Sequence, residues 1–315
     1  MDWNPTEMQQ AIAELAPQIL ADDDPWTALQ DAELLTLTTL PEICSLLIAV
    51  GEAGAHPPVL QTLLLGAPIA QFGEAAPVGT VLTGALCEES SRDPRRATTL
   101  ARDGRLYGRK ICVPAADSAA KAVIPTSEGV YVVEVADCEV TLQKGTNEDP
   151  IGILDLDGTP GTRLGGQNVL DWWLPRVQLG ICALQLGLAK TALAMTAKYT
   201  TERKQFGVPI GSFQAVSHRA ADAWIDTQAM EVTLWQAAWR VEQGLASERE
   251  VAIARYWAAE GSHRVVNAAQ HLHGGMGYDK DYPLHRYFLT AKQWEFTLGG
   301  ASTQLEQIGK LLAGR

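Results

Sequence analysis

The chain has 315 residues, 46% of them hydrophobic and 20% charged, with a formal net charge of −12. That composition is globular rather than disordered, and the length admits about two domains. The acidic balance excludes non-specific nucleic-acid binding, which needs basic surface to displace counterions, but not a phosphate-bearing cofactor held by a few local cations and helix N-termini.

Residues 1–76 read as an N-terminal helical domain. Thr6–Leu20, Trp26–Leu37 and Leu40–Val50 are apolar-rich, the acidic run Asp22-Asp23-Asp24-Pro25 separates the first two, and Pro57–Leu65 opens a further short helix. The opening MDWNPTEMQQAIAELA is acidic and lacks the basic-then-apolar order of a secretion signal. Five scattered cysteines (Cys44, Cys87, Cys112, Cys138, Cys182) have neither metal-site nor disulfide spacing. A reduced, cytoplasmic protein is therefore expected.

Residues 77–177 change texture. Short β-rich runs such as TVLTGAL and VYVVEVA alternate with Asp103-Gly104, Glu128-Gly129 and Asp157-Gly158, pairs that mark turns. A small antiparallel barrel or sandwich is expected here.

Residues 178–315 return to helix. Gln178–Thr201 is almost wholly apolar, but Gln185 and Lys190 make it a buried bundle helix rather than a membrane span. Ser212 is placed to cap a helix running to Gln243, and Ser247 with Glu250 has capping-box spacing for a helix reaching about Leu272. Pro283 starts another, Leu284–Phe296, and Thr303–Leu312 is the last. Short connections predict an antiparallel bundle. The fold class is α+β multidomain: helices, a small β domain, then a helical bundle.

Few motifs carry chemistry by themselves. GGMG (274–277) follows a helix, whereas a dinucleotide-binding turn needs strand, glycines and helix in that order. His271 and His273 stand two apart without an acidic partner at helical spacing, so no metal site is expected. No Gly-x-Ser-x-Gly nucleophile elbow occurs. In ERKQFGVPIGSFQAVSH (202–218), Arg203 and Lys204 suit the negative end of a helix, or alternatively project toward an anion such as a pyrophosphate.

Taken together, YTTERKQFGVPIGSFQAVSHRAAD (199–222), AAQHLHGGMGYDKDYPLHRY (268–287) and FTLGGASTQLEQIGKLLA (296–313) resemble the acyl-CoA dehydrogenase family. The likeness extends over the helix–β–helix order of the chain, and GALCEESSRDP (84–94) looks like a worn Thr-Glu-Pro segment of that family. The resemblance implies a flavin enzyme in which a carboxylate takes the α proton of an acyl-CoA while FAD accepts hydride from the β carbon. It also implies that FAD lies across a subunit interface. Arg203, Lys204, Gln205, Phe206, Phe213, Gln214, Gln270, His271, Gly274 and Gly275 would then reach the pyrophosphate and adenosine of an FAD seated mainly in the neighbour. The family's usual Gln, three residues before the first glycine, is His271 here, with Gln270 one place earlier.

The departures bear on catalysis. The family's base lies in a Tyr-Glu-Gly-Thr segment, which corresponds to Leu298-Gly299-Gly300-Ala301, so the base position is Gly299. An alternative base position falls near Gln178, and Arg176–Thr201 contains no carboxylate. Neither glycine nor glutamine abstracts a proton at neutral pH. The flavin-side Lys-x-Trp-Ile-Thr becomes KICVP, with Cys112 and Pro114. The resemblance therefore implies a subunit with no catalytic residue of its own. A second, catalytic family member would complete an α2β2 heterotetramer acting on a bulky, steroid-like acyl-CoA. Two rivals remain open: a homo-oligomer with its base at Glu88, Glu89 or Asp281, and a flavin-free scaffold.

Overall fold

A computed structural model describes residues 4–314; Met1-Asp2-Trp3 at the head of the first expected domain and Arg315 at the end of the last lie outside them. The chain is α+β, with helices in its N- and C-terminal parts and small sheets between. By internal contact it forms two compact units. One comprises 22–39 and 56–180, the other 4–21, 40–55 and 181–314.

The first unit carries the strands. β1 (Leu82–Gly84), β4 (Lys121–Thr126), β5 (Gly129–Glu134) and β8 (Thr162–Gly165) form one sheet in the order β1-β4-β5-β8. β2 (Leu100–Arg102), β3 (Arg105–Pro114), β7 (Pro150–Pro160) and β6 (Glu139–Lys144) form the other, ordered β2-β3-β7-β6. Leu106, Val113, Leu154 and Leu156 from one sheet share a buried cluster with Ile124, Tyr131 and Val133 from the other, which is sandwich packing. One pair, β1 with β4, is parallel rather than antiparallel as expected. Asp103-Gly104 is a two-residue hairpin turn with φ of 49° and 72°, the conformation that matches strand twist. Asp157-Gly158 is not a turn. It is a bulge inside β7, where Tyr107 pairs with Asp157 and Leu106 with Thr159.

Helices α2 (Pro25–Asp31) and α4 (Ala67–Phe72) belong to the same unit. The single helix expected over Trp26–Leu37 is interrupted: Asp24 caps α2, then Glu33 takes φ 59° before a short 3-10 turn at Leu34–Thr36. The indole of Trp173 donates to Leu64 O at 2.8 Å, tying α5 (Gln167–Glu202) to the segment before α4.

The second unit contains α1 (Glu7–Ile19), α3 (Leu40–Ala53), the later part of α5, α6 (Gln214–Glu242), α7 (Glu248–His273), α8 (Leu284–Glu295) and α9 (Ala301–Leu312). Thr6 and Gln9 form a reciprocal capping box at the head of α1. α5 is long and apolar enough to cross a membrane, yet 72% of its most apolar window is buried in the protein, as a bundle helix requires. It begins at Gln167 rather than at Gln178, because Pro175 sits inside the helix instead of ending it.

Two expected caps are absent. Ser212 lies one residue too early: Phe213 occupies the N-cap of α6, and the Ser212 hydroxyl donates to Pro209 O. Ser247 is the N-cap of α7 but makes no side-chain cap bond, while Glu250 is drawn to Arg249 at 2.8 Å and Arg240 at 3.5 Å. Charge pairing there outcompetes the capping box.

Candidate flavin-facing site

The site begins where α5 ends. The N–H of Arg203 donates to Tyr199 O at 2.9 Å, and a hairpin of β9 (Lys204–Gln205) and β10 (Val208–Pro209) follows. Its two turn residues, Phe206 and Gly207, have φ of 54° and 83°. Positive φ is unfavourable for an aromatic residue, and Phe206 is also 94% exposed. Its ring meets Phe213 edge-on at 6.3 Å. Ile210 N–H returns to Arg203 O at 2.8 Å, closing the arm against the start of α6. The side chains of Arg203, Lys204 and Gln214 are exposed and make no hydrogen bond or ion pair among the described residues. The Gln205 amide donates to Lys204 O at 2.9 Å.

The second motif closes α7. Gly274 takes φ 57° and ψ −132° and starts the turn Gly274–Tyr278. A Cβ at Gly274 or Gly275 would meet nothing within 4 Å, so bare backbone faces open space at both. Gln270, His271 and Gly274 line a cleft of about 910 Å³ between α6 and α7 together with Arg219, Asn267 and Tyr278. Gly275 and the residues of the Arg203–Gln214 arm do not line it. The two motifs nevertheless meet, because the Tyr199 ring stacks on His273 at 4.4 Å. Tyr199, Arg219 and Tyr282 lie within the two motif stretches, but the sequence alone assigned them no role in the site.

The residues of the two motifs fit the diphosphate and adenosine portions of FAD in chemistry: exposed Arg203 and Lys204, amide donors, the α6 N-terminus without a side-chain cap, and two glycines that let a bulky anion approach the backbone.

The loop between α8 and α9, where the family resemblance puts the base, has no carboxylate. Leu298 and Gly299 have φ of 57° and 93°, and Gly299 N–H donates to Phe296 O at 3.2 Å. A Cβ on Gly299 would stand 2.8 Å from Thr303 Cγ2. The loop is anchored by fully buried Arg255, which donates to the carbonyls of Trp294 and Thr297 at 2.7 Å and to Gln185 Oε1 at 2.8 Å. Gln178, at the alternative position, is half-buried in α5 and uncharged.

In the strand-bearing unit the worn segment around Cys87 has a structural use. Glu88 is 4% exposed and accepts from the N–H and hydroxyl of Thr98, the N–H and hydroxyl of Thr99, and Lys110 Nζ at 2.5 Å. Burial alone would raise its carboxyl, but Lys110 and the two threonines outweigh that and hold it at about 2. Such a carboxylate is a poor base. Glu89 is exposed beside Arg109 at 3.7 Å. Asp281 is an exposed turn residue whose N–H donates to Asp279 Oδ1. Cys112 lies exposed at the β3 bulge with φ 53°, and Pro114 O accepts from Thr83 at 2.6 Å.

Residues 165–313 match the model of the acyl-CoA dehydrogenase C-terminal domain. Acyl-CoA dehydrogenase FadE27 of Mycobacterium tuberculosis is 37% identical over 93% of this chain and 88% of its own. Among solved structures, the ChsE4-ChsE5 complex from Mycobacterium tuberculosis matches with a TM-score of 0.92 and 34% identity over 100% of both chains. A variant of the Tcur3481-Tcur3483 steroid ACAD matches at 0.91 and 35%, covering 98% of each chain.

Proposed function

Because the chain belongs to the acyl-CoA dehydrogenase family, we propose that it is the non-catalytic subunit of a heteromeric, FAD-dependent acyl-CoA dehydrogenase. Its partner is a second family member that supplies the Glu base and holds most of the acyl-CoA, in a cytoplasmic α2β2 assembly. FAD would be held at the interface between unlike subunits, in part by Arg203 and the Gly274-Gly275 turn of this chain, and would supply the oxidant for α,β-dehydrogenation of the acyl group. The single observation that carries this reading is Gly299: the base position is a glycine at φ 93° whose Cβ direction is already occupied by Thr303.

This chain's contribution is binding. Arg203 and Lys204 offer cations to the diphosphate, Gln214 and Gln270 offer amides, and Gly274-Gly275 offer bare peptide N–H groups. Phe206 and Phe213 cover apolar surface on the partner. Relatives that include a two-chain complex and a steroid ACAD support a bulky, steroid-derived acyl-CoA as substrate.

Arg203→Ala in the co-purified heteromer tests the reading. Losing a charge-assisted contact of about 1.5–3 kcal/mol lowers FAD affinity roughly tenfold or more. Unchanged FAD content would instead favour a flavin-free scaffold.

A further inference from the structure

His273 is 2% exposed and lies inside the second motif, between Gln270 and Gly274, where its buried ring touches the end of the first. Its ring stacks on Tyr199 at 4.4 Å with an interplanar angle of 22°, and Tyr282 lies against it at 5.3 Å. Nδ1 faces Ala269 O at 2.8 Å, and a carbonyl only accepts, so Nδ1 carries the proton. Nε2 is then the acceptor for the Tyr282 hydroxyl at 3.2 Å. The ring is fixed on both nitrogens and on one face.

Each neighbour of this ring leads directly to a flavin-facing group. Tyr199 O receives the N–H of Arg203, and Gly274 is covalently next to His273. Tyr282 lies in the loop that returns from the Gly274–Tyr278 turn to α8. Among the described residues no hydrogen bond joins the Arg203 arm to the glycine turn, so the ring stack is the junction between them.

We infer that His273 is a positioning residue for the flavin: clasped by Tyr199 and Tyr282, it sets the spacing between the Arg203 arm and the Gly274-Gly275 turn so that both grip one diphosphate. The inference rests on the flavin reading above. A diphosphate bound by two separately tethered groups demands that both be held before it arrives, and rigid aromatic contact supplies that at little entropic cost.

The test uses the heteromer, stripped of FAD and titrated back, with FAD affinity and the visible circular-dichroism band of the bound flavin as readouts. In His273→Ala the complex keeps its size while FAD Kd rises about tenfold and the flavin band changes shape. His273→Phe restores the stack and returns Kd to within about threefold of wild type. An His273→Ala complex whose Kd and flavin band match wild type overturns the inference. Arg203→Ala separates the two levels: if it too leaves FAD binding intact, the flavin reading itself falls. If His273→Ala prevents assembly, Tyr282→Phe, which removes one oxygen, decides instead. A raised Kd supports the clasp, and an unchanged one overturns it.

Discussion

Gly187 of α5 packs backbone to backbone against Gly51 of α3: a Cβ on Gly187 would lie 2.9 Å from Gly51 Cα, and one on Gly51 would lie 2.9 Å from Leu188 N. Both neighbours are main chain, so neither can swing aside. Gly187→Leu should therefore force the helices apart and destabilise the chain by about 1–3 kcal/mol or more, by the cost of overpacking. Urea unfolding checks this; an unchanged midpoint would mean that the helices separate without loss.

The Glu88–Lys110 pair predicts an asymmetric mutational response. Neither side chain is more than 4% exposed, and among the described residues Lys110 has Glu88 and Pro125 O as its acceptors. Removing either partner by Glu88→Gln or Lys110→Met strands a buried polar group and should cost about 3–5 kcal/mol. The double substitution should cost less than the sum of the two, a coupling that a double-mutant cycle measures.

The same carboxyl sets an acid limit. Its folded value, about 2, lies below its ordinary 4.5, so the folded state favours the ionised form. Its contribution is complete above about pH 4.5 and is lost as pH falls toward 2. Unfolding midpoints measured from pH 6 to 3 should fall more steeply for wild type than for the Glu88→Gln, Lys110→Met double variant.

Introducing a carboxylate at the proposed base position should not create activity. Gly299→Glu places a side chain at φ 93° and against Thr303. Backbone strain of about 1–3 kcal/mol is expected. The purified variant should melt lower than wild type and show no acyl-CoA oxidation on its own. Robust turnover by that variant alone would mean that the chain carries a complete substrate pocket.

Phe206 predicts the reverse pattern, because it is 94% exposed among the described residues and meets the Phe213 ring edge-on. Phe206→Ser should change the chain's stability by no more than about 0.5 kcal/mol, as surface substitutions do. It should weaken assembly with the partner and retention of FAD, read by gel filtration and flavin absorbance. Equal loss of stability and assembly would point to a folding role for the Phe206–Phe213 contact.

Much of this was readable from residue order. The C-terminal helices follow apolar spacing, and the Gly299-Gly300 break falls between α8 and α9 as that spacing predicts. What escaped the sequence depends on contacts remote in the chain. The apolar run reads as opening at Gln178, yet α5 starts at Gln167 and continues through Pro175. Asp157-Gly158 has turn chemistry but lies opposite β3, which converts it into a bulge. Ser247 and Glu250 have the spacing of a capping box, but Arg240 and Arg249 claim the carboxylate. Tyr199, His273 and Tyr282 lie in the two motif stretches, but their stacking joins three elements and could not be read from either stretch alone.

The central claim is that this chain completes a flavin site it cannot fill alone. FAD per polypeptide, measured on the chain purified by itself and on the chain co-purified with its catalytic partner, tests that claim most directly. The account predicts colourless, inactive protein alone and about one FAD per unlike pair in the heteromer. A yellow homo-oligomer that oxidises acyl-CoA without a partner would contradict it.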